Sequence, residues 1–121
     1  MRETKKILVV DDELGIRILL SEVLSSRGFQ VSLAKDGMES LKKMENDHFD
    51  LVVTDINMPR LDGIGMLKTM KENGRTEKVI IMTGNASDTR LEDPEMYRVE
   101  SQLYKPFGMA AFLSTVDSLT S

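Results

Sequence analysis

At 121 residues, 40% hydrophobic and 30% charged, the chain is long enough for one well-filled core and too short for two domains. Sixteen basic against 20 acidic residues leave a net charge of −4, which argues against a nucleic-acid or anionic-membrane surface. The absence of cysteine excludes disulfides and thiolate metal sites and fits a reducing cytoplasm, and the early apolar run ILVV is too short for a membrane span or signal-peptide core.

Lys5 to Val10 (KKILVV) is short, β-branched and bounded by charge, so it is expected to be a strand buried on both faces. Ile16, Leu19, Leu20, Val23 and Leu24 then follow helical spacing, with Gly28 as the stop. FQVSLA (29–34) reads as a second strand, less apolar and nearer an edge. Asp36 to Asn46 carries Met38, Leu41 and Met44 on a second helix. FDLVVTD (49–55) is a third strand that, like the first, ends on aspartate. NMPRLDG (57–63) is turn chemistry, followed by a helix lined by Ile64, Leu67 and Met70 and closed by Asn73 and Gly74. KVIIMT (78–83) and the weaker SQLY (101–104) complete the strands, and Met109, Phe112, Leu113 and Val116 mark a final helix.

Strand and helix alternate about five times without repeats, which predicts a parallel sheet with helices on both faces. In such a sheet ligands bind beyond the carboxyl ends of the strands. Standing there are Asp11, Asp12, Asp55, Thr83 and Lys105, each within a residue of an apolar run. Carboxylates gathered beside one lysine need a further countercharge, and oxygen-only donors suit Mg²⁺ or Mn²⁺ rather than zinc. The Asn57 carbonyl, in the turn after Asp55, could add another oxygen. A carboxylate nucleophile, a divalent ion, an ammonium and a hydroxyl are the parts of phosphoryl transfer. Helix capping by the three acids is the competing explanation, but it accounts for neither the doublet nor the matched lysine. His48, the only histidine, falls in a polar loop at the opposite end and is given no role. Glu39, Glu45 and Asp47 read as a solvated face.

With VVDDE, TDINMPRLDG, MTG and YKPF in this order, the chain resembles the receiver domain of two-component response regulators, the CheY-like superfamily, over residues 1–121. The resemblance implies a flavodoxin-like (βα)5 doubly wound sandwich with strand order 2-1-3-4-5. It implies Asp55 as phosphoacceptor, Asp12 as a direct metal ligand, Asp11 acting through metal-bound water, and the Asn57 backbone carbonyl as a ligand. Lys105 would pair with the phosphoryl group, Thr83 would report it, and Lys105-Pro106 would be cis. The implied donor is a sensor histidine kinase or histidine phosphotransfer protein. The implied output is a changed surface of the fourth helix, fifth strand and fifth helix, which could also dimerise. Neither nucleic acid nor membrane is an implied partner, and the setting is cytoplasmic. The chain would be a free-standing receiver or the N-terminal part of a longer regulator.

Leu14 and Ile18 lie off the main stripe of the first helix and form either a wide core face or an exposed patch for the kinase. Other features depart from the family pattern. Arg98 and Val99 stand where Gly-Ala is usual, and Gln102 where an aromatic is usual. Tyr104 is expected on the opposite strand face. Gly84 to Glu92 is either a longer loop or a short helix broken at Pro94, so the fourth helix is expected to be irregular. The resulting expectation is a phosphorylation switch with chemistry only on itself, not an enzyme. A receiver-like interaction module would have a degraded site, yet all five residues are present. A haloacid-dehalogenase-like phosphatase would need an aspartate at Asn57.

Overall fold

The computed structural model describes residues 4–58, 60–84 and 97–121. Five strands, β1 (Lys6–Val10), β2 (Gln30–Ala34), β3 (Leu51–Asp55), β4 (Lys78–Thr83) and β5 (Val99–Tyr104), form one parallel sheet in the order β2-β1-β3-β4-β5. Helices α1 (Leu14–Ser26), α2 (Gly37–Met44), α3 (Gly63–Glu72) and α4 (Met109–Thr120) cover both faces. This is the two-sided parallel sheet expected from the alternation, with the flavodoxin-like strand order that the resemblance implies. The chain starts at β1, winds outward to β2, then reverses through β3, which opens a crevice at the carboxyl ends of β1 and β3.

The apolar strands are explained by this double cover. Leu8 and Val10 enter a core with Met44 of α2 and Met66, Leu67 and Met70 of α3. Ile7 and Val9 enter a second core with Leu20 and Leu24 of α1 and Phe112 and Val116 of α4. Side chains alternate along a strand, so only an all-apolar run suits both sides. Turn chemistry also holds: Gly28 and Gly74 end their helices at φ 92° and 71°. Gly63 lets α3 start against β3, since a Cβ there would lie 2.6 Å from the Asp55 carbonyl oxygen. Among the described residues, no helix is long and apolar enough to cross a membrane.

Three expectations need correction. Leu19 is 45% exposed, because the seam Ile16, Leu20, Leu24 faces the sheet and Leu19 is rotated about 100° from Leu20. Met38 is 49% exposed, since α2 turns Gly37, Ser40, Leu41 and Met44 inward instead. Tyr104 shares a strand face with Gln102, not the opposite one, because residues two apart point the same way. Both are exposed, while Leu103 packs into the core beneath α4.

β5 is also longer than expected, six residues with a register shift that pairs Val79 with Val99 and Ile80 with Ser101. Arg98, at the position where glycine is usual, has φ 57°, the left-handed conformation that glycine adopts without strain. The expected irregular fourth helix falls largely on residues 85–96, outside the described residues.

Candidate functional site

The two acids after β1 are held by main-chain contacts. The Asp11 N–H donates to the Ala34 carbonyl at 3.1 Å, extending the β1–β2 pairing one residue past the strand. Asp11 Oδ1 accepts the Glu13 N–H at 2.9 Å, which folds the side chain into the turn. Asp55 is the last residue of β3, and its Oδ1 accepts the Asn57 N–H at 3.1 Å. Carboxylate oxygens of Asp11, Asp12 and Asp55 all lie within 4.8 Å of one another. Asp11 and Asp55 are buried and Asp12 is exposed.

Lys105 closes the group from β5. Its N–H donates to the Thr83 carbonyl at 2.7 Å, and its Nζ lies 3.0 Å from both Asp11 Oδ2 and Asp55 Oδ2. The Lys105-Pro106 bond is cis, as expected. Thr83 ends β4, 2% exposed, with Tyr104 beside it in register. Asn57 begins the loop after Asp55 and is exposed. His48 is exposed in the loop before β3, at the far end of the sheet.

Helix capping does not account for these acids. Caps on α2 and α3 come from Asp36, accepting from Glu39 N–H, and Asp62, accepting from Gly65 N–H. At α1 the cap residue is Glu13, which makes no side-chain cap bond.

Burial pushes the Asp11 carboxyl above its ordinary range, and the nearby Asp55 charge adds to this; the Glu13 N–H and Lys105 oppose it. Burial by itself would lower Lys105, but its bonds to Asp11 and Asp55 outweigh that and raise it. The ammonium therefore stays charged between the carboxylates. Among the described residues, Lys105 is the cation that pairs with Asp11 and Asp55, so three acids gather around one ammonium. Converging carboxylates with no imidazole or thiolate are a donor set for a hard divalent cation, so Mg²⁺ fits these residues and Mn²⁺ would too.

One contributor was not visible in the sequence. Arg17, in the first turns of α1, donates from Nη1 to the Asp11 carbonyl at 2.6 Å and pins the acidic turn to the helix. It lies between Ile16 and Ile18 in an apolar helical pattern, which carries no signal that its side chain reaches back to the loop.

Residues 7–117 match the family model described as the response regulator receiver domain. Over 120 residues the chain is 33% identical to a probable chemotaxis protein CheY of Rhizobium etli, covering 97% of this chain and 93% of that one. It is 38% identical over 103 residues to sporulation initiation phosphotransferase F of Bacillus subtilis, covering 85% and 83%. Among solved structures it is similar to response regulator protein TrrA of Thermotoga maritima, crystallised with Mg²⁺ and BeF. That likeness has a TM-score of 0.83 at 33% identity, over 96% of this chain and 99% of the other.

Proposed function

The chain belongs to the response regulator receiver family, the phosphorylation-dependent switches of two-component signalling, and from that premise we propose that Asp55 is its phosphoacceptor. The observation that carries this is the convergence on one point of Asp11, Asp12, Asp55 and Lys105, from three different strand ends. A carboxylate oxygen of Asp55 attacks the phosphorus of a phosphohistidine; the P–O bond forms, the P–N bond breaks, and the donor imidazole takes a proton as it leaves. Asp12 would bind the metal directly, Asp11 across a water, with Asp55 and the Asn57 carbonyl completing the protein's share. Mg²⁺, when bound, supplies positive charge against the transferring oxygens. Capture of the relative TrrA with Mg²⁺ and BeF supports that reading.

Lys105, already between Asp11 and Asp55, would pair with the phosphoryl group, and Thr83 would donate its hydroxyl to it. The added charge, roughly −1.5 to −2 at neutral pH, is what biases the two conformations. Later attack by water on phosphorus would restore the carboxylate, so the only substrate is the protein itself. We read residues 1–121 as one receiver domain whose responding face is β5, α4 and the helix expected before β5, which lies outside the described residues. That face would serve an output domain, a downstream protein or a second copy. Adding Mg²⁺ and beryllofluoride should shift amide resonances of Asp55, Thr83 and Lys105; an unchanged spectrum would sink the switch.

The donor is a sensor kinase or histidine phosphotransfer protein, met in the cytoplasm. The surface offered to it is the exposed apolar patch on α1: Leu14 at 61%, Ile18 at 47% and Leu19 at 45%, beside the acidic turn. Ile18→Asp should slow transfer from the cognate donor by roughly tenfold or more, as loss of a buried apolar anchor does. Acceptance from acetyl phosphate, which needs no docking, should be unchanged. Equal rates from the protein donor would remove the patch from the reading.

A further inference from the structure

Asp36 is 1% exposed and takes no part in the transfer chemistry. It stands at the N-terminus of α2, where its Oδ1 accepts the Glu39 N–H at 2.8 Å. Its remaining oxygen, Oδ2, faces a cation. That cation is Arg60, whose Nε lies 3.3 Å from Asp36 Oδ2. Arg60 belongs to the loop leaving Asp55, and its φ of 67° is left-handed. Glycine would adopt that conformation freely, whereas an arginine Cβ resists it. What arginine contributes in exchange is the charge.

A neighbouring contact ties the same two segments. The Gly37 N–H donates to the Leu61 carbonyl at 2.9 Å, and a Cβ on Gly37 would come within 2.5 Å of that oxygen. The loop is thus gripped from α2 at two adjacent residues, Arg60 and Leu61. Its start is anchored separately: the Ile56 N–H donates to the Met82 carbonyl at 3.2 Å, and the Ile56 carbonyl accepts the Gly63 N–H at 2.9 Å. Between the two anchorages runs the stretch that carries the Asn57 carbonyl.

We infer that the Asp36–Arg60 ion pair positions the Asn57 carbonyl for the metal, making both side chains positioning residues for a site they do not touch. This rests on the metal reading of the acidic cluster given above. A main-chain ligand is only as well placed as its loop, and Mg²⁺ tolerates little departure from octahedral geometry. Loosening the loop therefore reduces affinity even when every carboxylate remains. The pair adds little to global stability, because Arg60 is 57% exposed, solvent screens it, and its truncation opens Asp36 Oδ2 to water. Metal affinity and melting temperature consequently separate.

The test is Mg²⁺ titration of the full chain by amide NMR, with thermal melts, for wild type, Arg60→Ala, Arg60→Lys and Asp36→Asn. Arg60→Ala should weaken Mg²⁺ roughly tenfold, the low end for groups that orient metal ligands, and leave the melting temperature in place. Arg60→Lys should recover most of the affinity. Asp36→Asn keeps an oxygen for the Glu39 N–H but loses the charge, so it should match Arg60→Ala. Wild-type affinity in Arg60→Ala overturns the inference while leaving the metal site standing, and so does a failure of Arg60→Lys to recover. If wild type shows no Mg²⁺-dependent shifts at Asp11, Asp12 and Asp55, the metal reading falls and takes the inference with it.

Discussion

Asp55→Asn should abolish phosphoryl acceptance, lowering the rate from acetyl phosphate by roughly a thousandfold or more. The amide is nearly the same size, so packing at this 6%-exposed position is preserved. Its oxygen lacks the negative charge needed to attack phosphorus, and no neighbour can take over in the same place. Asp11 already has one oxygen on the Glu13 N–H and the other on Lys105, and Asp12 is exposed at the rim. Mass spectrometry after incubation with acetyl phosphate and Mg²⁺ should show a single added phosphoryl group in wild type and none in the variant. Undiminished phosphorylation of the variant would move the acceptor elsewhere.

Lys105→Met should move two quantities in opposite directions. The ammonium sits 3.0 Å from oxygens of Asp11 and Asp55, two acids of the proposed metal site, and so would compete electrostatically with a divalent cation there. Removing a unit charge at such range, with the effective dielectric of a partly exposed site, should tighten Mg²⁺ by roughly tenfold. On the proposed reading, the same change also removes the donor that would pair with the oxygens of the transferring group. Loss of one such group typically costs about 10²–10³ in rate, so acceptance at saturating Mg²⁺ should fall by that order. General misfolding would weaken both functions together. A variant that binds Mg²⁺ more weakly than wild type would contradict the competition described here.

Much of this arrangement is legible in the linear chain, for a reason rooted in the fold class. A parallel sheet covered on both sides demands apolar central strands, so β1, β3 and β4 announce themselves and carry their charged residues only at their ends. The edge strands β2 and β5 instead hold Ser32 and Gln102 in mid-strand. Asp11, Asp12, Asp55 and Thr83 are conspicuous because the apolar residues before them leave them nowhere else to go. The face of Tyr104 was equally open to reasoning from the two-residue strand period, and the expectation that set it opposite Gln102 runs against that period.

Other features carry no local signal. Leu19 and Met38 satisfy a helical pattern yet point to solvent, because spacing defines a stripe without defining which edge of it meets the sheet. Arg17 is an ordinary helix residue until the helix start turns it back onto the Asp11 carbonyl. Asp36 stands at the start of the second helix in the sequence; that it caps this helix and turns its second oxygen to Arg60 shows only in the structure.

By itself, the sequence determined the alternation of strands and helices, the double-sided core and the chemical inventory at the strand ends. These follow from burial periodicity and residue type, which are local properties. Only the tertiary structure decided which inventory members touch. Lys105 meets Asp11 across 94 residues and Asp55 across 50, and α2 grips the loop after Asp55 through Arg60 and Leu61. Such contacts depend on how the crossovers bring β1, β3 and β5 to one rim, and on the rotation of each helix against the sheet. Both are set by packing of the whole core rather than by any short stretch of it.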